Sequence, residues 1–354
     1  MDLNSLILFF VLIIFGIISY KYFIPFLKKI YIKLLVDDQF SKPQAFHDSP
    51  VSTAGGLVIF LSFLILIIYS LIFKNIFFEE YLMFCTLFFL LGFIDDIKVN
   101  IKPKTRLFSM IVFLIILVGY TDFHIDKTGI EFLNDWIQSS KTFSLVFVCL
   151  CFLFIINGAN LIDGYNGLLG FHSLIIFLNL FLVNYLSGNT DLANFLIFII
   201  VILSIFIFFN FPRAKIFLGD GGSYLLGSLI AISTIQTSLA NPTVSPFYFC
   251  ILLFYLFFEV FFSFFRKLSK KKSPFYPDAK HLHMLLYKKL IKKNSDKLKS
   301  NYFVSVIVNT IYLILIIPAM FMMKDGMFCK YYSIVFFIIY IFSYKITNDK
   351  SKIY

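Results

Sequence analysis

Long apolar runs alternate with short polar gaps from one end of the chain to the other. Eleven runs stand out, at residues 3–20, 54–73, 81–94, 107–120, 143–156, 168–186, 192–209, 224–239, 246–265, 302–323 and 327–342. A membrane-spanning helix needs about 20 predominantly apolar residues, and several of these runs are shorter. The short ones abut polar motifs, so their helices are expected to continue into the polar residues. In lipid, a backbone must satisfy its own hydrogen bonds, which favours helices joined by short loops. The pattern predicts an all-α, polytopic integral membrane protein with about 11 transmembrane helices. Residues 1–354 read as a single membrane domain, with no internal repeat and no soluble domain. Residues 266–301 form a basic loop within it.

Composition sharpens this picture. The chain is 60% hydrophobic and 14% charged, whereas a soluble domain has about 45–50% apolar and about 25% charged residues. A soluble globular protein, a disordered chain and a disulfide scaffold are all excluded. Of the five cysteines, Cys85, Cys149, Cys151 and Cys250 lie in apolar runs, and no spacing resembles a zinc site. The first run lacks a basic leader and a small-residue cleavage site, so it reads as a retained helix.

The formal charge of +11 invites a nucleic-acid reading, but the distribution of bases does not. All but five of the 31 Lys and Arg lie in alternate loops, at residues 21–55, 95–106, 210–222 and 266–301 and after residue 344. The exceptions are Lys74, Lys127, Lys141, Lys324 and Lys330. By the positive-inside rule, the N-terminus is outside and the C-terminus is cytoplasmic. The expected location is the inner (plasma) membrane, the bases serve the bilayer, and no nucleic-acid partner is expected.

Five polar clusters fall on this same cytoplasmic side. An ionisable residue at a membrane helix end is costly unless it faces protein or water, so it marks function by default. In Gly92-Phe93-Ile94-Asp95-Asp96, two carboxylates end an apolar run and Lys98, Lys102, Lys104 and Arg106 follow. Anchoring explains the bases but not the acids, which suit a divalent ion or proton transfer. In Asn157-Gly158-Ala159-Asn160-Leu161-Ile162-Asp163, polar residues recur every third position, and a helix would stack Asn157, Asn160 and Asp163 roughly on one face. From Asn210 to Ser223, the carboxylate of Asp220 sits among three glycines at a helix start. Free N–H groups there favour anions, and Asp220 can hold a cation. The basic loop carries His281-Leu282-His283, better suited to phosphate or sugar than to zinc. Ser52-Thr53-Ala54-Gly55-Gly56 reads as a helix start or a tight packing site. Glu259, inside the ninth run, is left open between a buried functional acid and a helix-end residue.

Hard oxygen ligands suit Mg²⁺ or Mn²⁺, and metal plus Lys and Arg suits a pyrophosphate. These residues, in this order, resemble the polyprenyl-phosphate N-acetylhexosamine-1-phosphate transferases. That family includes the initiating enzymes of O-antigen synthesis and the phospho-MurNAc-pentapeptide translocase. The likeness runs from about Thr53 to His283. It implies a multi-helix fold, often with eleven spans, and transfer of sugar-1-phosphate from a UDP-N-acetylhexosamine to polyprenyl (undecaprenyl) phosphate, releasing UMP. It implies Asp220 as the Mg²⁺ ligand and Asp95 or Asp96 as base or second metal contact. Asp163, Asn157, Asn160 and Asn210 would shape the nucleotide pocket, Lys104 and Arg106 would serve the lipid phosphate, and His281 and His283 would touch phosphate or sugar. The His-x-His resembles the GlcNAc-type initiators rather than the translocase. Asn166 and Met284 stand where relatives often carry Asp and His. A homodimer fits such a chain. The competing class is a transporter of an anionic or lipid-linked solute, but its polar sites would tend toward the midplane, with inverted repeats.

Overall fold

The computed structural model describes residues 2–30, 35–37, 50–99, 101–271, 273 and 278–349. Parts of the basic loops at residues 21–55 and 266–301, and the end of the basic tail, lie outside the described residues. The first helix, α1 (Leu3–Ile18), passes through a π-helical segment, Ser19–Phe23, into α2 (Ile24–Ile30). A short antiparallel pair follows, β1 (Val36–Asp37) with β2 (Val51–Ser52), in the register Val36 to Ser52 and Asp37 to Val51. Then come α3 (Gly55–Lys74), α4 (Glu79–Asp96), α5 (Pro103–Thr121), the short α6 (Glu131–Ser139) and α7 (Lys141–Ile162). The next four are α8 (Leu168–Leu186), α9 (Thr190–Asn210), α10 (Gly219–Ala240) and α11 (Pro246–Leu252). The last four are α12 (Phe254–Ser269), α13 (Leu282–Asn294), α14 (Lys297–Phe321) and α15 (Gly326–Asp349).

Among the described residues, nine helices are long and apolar enough to cross a membrane, or ten if α11 and α12 count as one bent span. The remaining run of the eleven forms α4, whose ends carry Glu79, Glu80, Asp95 and Asp96 and so set it apart from those nine. The protein is therefore an all-α, multi-pass membrane protein. Local chemistry marks many helix starts. Ser140 caps α7 by accepting from Phe143 N at 3.2 Å, Asp296 caps α14 through Lys299 N at 2.9 Å, and Pro103 opens α5, where a missing N–H costs nothing.

The ninth run is not one straight helix. It breaks at Leu253, with a 73° bend between α11 and α12. No Gly or Pro marks the place. The hydroxyl of Tyr312, on α14, donates to Leu252 O, and a side chain inserted into the helical ladder is an established cause of kinks. Beyond the bend, α12 lies so close to α7 that a Cβ on Gly158 would sit 2.3 Å from Leu256 O.

Contacts at the helix ends reproduce the alternation of loops. At one end, Asp2 pairs with Lys74 at 2.7 Å, Asn189 donates to Asn241 at 3.1 Å and Ser245 N donates to Met323 O at 2.8 Å. At the other, Gly55 N and Gly56 N donate to Phe217 O and Leu218 O, and Asn166 N donates to Asn301 Oδ1 at 2.8 Å. The described residues of all five polar clusters lie at this second end. The bundle closes around α10, which packs on α3, α4, α7 and α8. In α10, 78% of the most apolar window is buried, against 22% in α15. Lipid supplies no hydrophobic drive between helices, so close packing of small residues must hold them. Gly56 and Gly222 provide it, since a Cβ on Gly56 would lie 2.3 Å from Gly222 Cα.

Candidate active site

The site is built where α4 ends and α10 begins. Gly219 opens α10 with φ +80°, a left-handed conformation that suits glycine. A Cβ there would meet Thr53 O at 2.4 Å and the Asp96 carboxylate at 2.7 Å. Gly92, one turn before Asp96, lets the two helices touch backbone to backbone, with Asp220 O 2.4 Å from where its Cβ would stand. This approach lets Asp96 accept the N–H groups of Asp220 at 2.9 Å and Gly221 at 2.8 Å. The first-turn amides, which favour anions, are taken by the Asp96 carboxylate.

The adjacent Asp95 faces elsewhere. It accepts Ile101 N at 3.1 Å and binds the Arg106 guanidinium of α5. The same Nη1 of Arg106 reaches Asp220 Oδ2 at 3.1 Å, and the guanidinium lies over the Tyr224 ring, 5.7 Å from its centroid. From α7, Asn160 Nδ2 donates to Asp220 Oδ1 at 2.8 Å and to Ser223 Oγ at 2.9 Å. Asp220 is thus held from two sides while its side chain stays 39% exposed. Just past the end of α7 lies Asp163. Burial, together with the negative charge of Asp220, pushes its carboxyl up to about 8.

Other sequence candidates sit differently. Asn157 folds back on its own helix, donating to Leu153 O at 2.7 Å and contacting Met110 Sδ at 3.7 Å. Lys104 is exposed on the first turn of α5. Asn210 is buried and works on backbone: its Oδ1 accepts Gly167 N at 2.7 Å and its Nδ2 donates to Ile216 O at 2.8 Å. Asn166 Nδ2 donates to Pro212 O at 2.9 Å, a bond that an ionised carboxylate at this position could not make. The two asparagines tie the loop after α7 to the loop before α10. Met284 is buried in the first turn of α13.

The histidine pair forms a second cluster. His281 Nδ1 lies 3.0 Å from Glu259 Oε2, and Leu282 N donates to Glu259 Oε1 at 3.1 Å. His283 Nδ1 is 3.2 Å from the Tyr255 hydroxyl, and its Nε2 is buried without a partner. Burial pushes the His283 imidazole down to about 4, so it is neutral near neutral pH. The two rings stack, with centroids 5.6 Å apart. Arg266 clasps Asp278 with two bonds of 2.9 and 3.1 Å. Burial opposes ionisation of Asp278, yet the Arg266 contact holds its carboxyl below the ordinary range. Tyr165 joins the clusters: it lies two residues after Asp163 and packs edge-on against His283 at 5.7 Å. Tyr165, Ser223, Arg266 and Asp278 were given no role from sequence, although each lies in or beside a motif. Glu259 had a clear signal, an acid alone in the run Phe257-Phe258-Glu259-Val260-Phe261-Phe262.

Among the described residues, no group of three His, Cys, Asp or Glu side chains could hold a metal by itself. Mg²⁺ keeps several waters and needs only one or two carboxylates plus substrate phosphates, a donor set that Asp220 and Asp163 could supply. Asp220 is part-exposed, and its repulsion of Asp163 is what an intervening cation would relieve.

These features define a multi-pass membrane protein with a charged site at one end of its bundle. Residues 79–238 match the profile of Glycosyl transferase family 4. Over 234 residues the chain is 32% identical to the phospho-N-acetylmuramoyl-pentapeptide-transferase of Dictyoglomus turgidum, covering 64% of this chain and 71% of that protein. It is 28% identical over 262 residues to the undecaprenyl-phosphate alpha-N-acetylglucosaminyl 1-phosphate transferase of Thermotoga maritima, covering 70% and 71%. A probable undecaprenyl-phosphate N-acetylglucosaminyl 1-phosphate transferase of Bacillus subtilis is 29% identical over 266 residues, covering 73% and 72%. The chain belongs to Glycosyl transferase family 4. Both kinds of relative match at similar identity, so overall likeness does not divide them.

Proposed function

We propose that the protein transfers the sugar-1-phosphate of a UDP-N-acetylhexosamine to polyprenyl phosphate, giving polyprenyl-diphosphate-sugar and UMP. In this reading the reaction runs at the cytoplasmic face of the inner membrane, as the initiating step of a cell-envelope glycan such as O-antigen. The carrying observation is the convergence of Asp220, Asp163, Asn160 and Arg106 at one end of the bundle in a member of this family. One oxygen of the lipid phosphate attacks the phosphorus that bears the sugar, and the bond from that phosphorus to the oxygen bridging it to UMP breaks. Mg²⁺ or Mn²⁺, when bound, neutralises the pyrophosphate. Asp220, with Asp163 beside it, would hold the ion. Arg106 meets phosphate charge and is aimed by Asp95, while Lys104 stands at the lipid-phosphate entrance. Asp96 fixes the start of α10. A phosphate nucleophile is largely ionised near neutral pH, so the reaction needs no strong base, consistent with both Asp95 and Asp96 being engaged in structural bonds. His281-Leu282-His283 favours a GlcNAc-type donor over a muramoyl pentapeptide.

The test is UMP release by purified protein given polyprenyl phosphate, Mg²⁺ and a panel of UDP-N-acetylhexosamines. Lipid- and metal-dependent UMP with one donor is the expected result. Folded protein that releases none from any donor would sink the proposal.

A further inference from the structure

Glu259 lies within the apolar α12 with its side chain 1% exposed, and the reaction above makes no use of it. A buried acid in a membrane helix is costly and calls for a specific partner. Its two oxygens are divided between two tasks. Oε1 accepts the N–H of Leu282, the first residue of α13, at 3.1 Å. No side chain from the adjoining cap residue serves that helix start. Oε2 meets His281 Nδ1 at 3.0 Å. An ionised carboxylate only accepts, so His281 carries a hydrogen at Nδ1. Nε2 is thereby turned to the opposite edge, where Asp278 Oδ1 lies 3.5 Å away in the loop before α13. Asp278 is kept in place by Arg266. One carboxylate, fixed in the membrane, thus sets both the start of α13 and the orientation of the ring.

We infer that Glu259 is a positioning residue, fixing the start of α13 and the orientation of His281, and through them the histidine pair that the nucleotide donor would meet. This rests on the transferase reading and on His281 as its substrate contact. Glu259→Gln keeps the size of the side chain and an acceptor for Leu282 N, but it opposes His281 Nδ1 with an amide donor. UMP turnover should fall about 10–100-fold, the usual loss when the partner that orients a functional histidine is removed, with the melting temperature in detergent unchanged. In a His281→Ala background the same substitution should cost no more than about twofold, because groups acting as a unit are not additive. Additive losses would overturn the inference.

The ¹⁵N spectrum of the wild-type protein in nanodiscs supplies an arm free of both activity and folding of the variant. His281 is expected to carry hydrogen at Nδ1, and hydrogen at Nε2 alone would overturn the assignment. Failure of wild-type protein to release UMP would overturn the transferase reading, and the spectrum would still decide the geometry of Glu259.

Discussion

Two charged clusters stand at the same end of the bundle and are built in opposite ways. Around Asp220, the carboxylate remains 39% exposed, and a single guanidinium is shared between Asp95 and Asp220. Around Glu259, the acid is 1% exposed and Arg266 spends two nitrogens on Asp278, one of them also reaching Ser263 Oγ at 3.3 Å. The first cluster keeps unused capacity facing open space, as a site that must take up phosphate and metal requires. The second is closed around Glu259 and Asp278, as a frame that holds the histidine pair requires. The difference teaches that a buried ionic group near a site is better read as support until a path to substrate is seen.

Four substitutions test this contrast. The largest effect is expected from Asp220→Asn. Removing the charge that faces the pyrophosphate should lower metal-dependent UMP release by about 10³-fold, roughly 4 kcal/mol of transition-state stabilisation, without loss of folded protein. Normal turnover would remove Asp220 from the metal site. Next, one chemical change can be made in both clusters. Arg106→Lys should reduce turnover about 10–100-fold with little effect on melting, because the shorter lysine lacks the planar guanidinium that lies over Tyr224 and reaches Asp95 and Asp220. Arg266→Lys should chiefly lower the melting temperature. If the two variants behave alike, the distinction between site and frame fails. The smallest effect on turnover is expected from Asn210→Ala. It leaves Gly167 N–H and Ile216 C=O unpaired in a buried loop, which costs about 1–3 kcal/mol of stability per group. Turnover per folded molecule should stay near the wild-type value in a UMP assay corrected for active fraction.

The helices were legible because the bilayer demands long apolar runs, and each of the eleven became helical. The break at Leu253 was not, since the hydroxyl that meets Leu252 O there comes from Tyr312 on α14, far along the chain. The helix α13 was hidden by its lysines inside a loop read only for charge. The aspartates were legible because acids abutting apolar residues are rare. Their division of labour was not. Asp95 and Asp96 are neighbours in sequence, yet one meets Arg106 and the other meets the first amides of α10, and only the approach at Gly92 decides which. Asn157, Asn160 and Asp163 share a spacing, but Asn160 alone of the three hydrogen-bonds to Asp220. Asn210 stands in a motif rich in chemistry and serves backbone. Spacing brings such residues to one region and leaves their partners to tertiary contacts.

The close contact of α4 with α10 also bears on how the chain enters the membrane. The best window of α10 has a mean hydropathy of 1.2, the lowest of the nine, against 3.0 for α9. Both α4 and α10 carry carboxylates, which insertion penalises by about 2.5–3.5 kcal/mol at a helix centre and less toward the ends. Neither is a strong membrane segment alone, and each becomes one when it packs on the other. Because α4 is synthesised more than a hundred residues before α10, its stable integration must wait on a later part of the same polypeptide. A nascent chain halted after α9 should therefore hold α4 less firmly than the finished protein, and the stretch that completes the site would also complete the insertion.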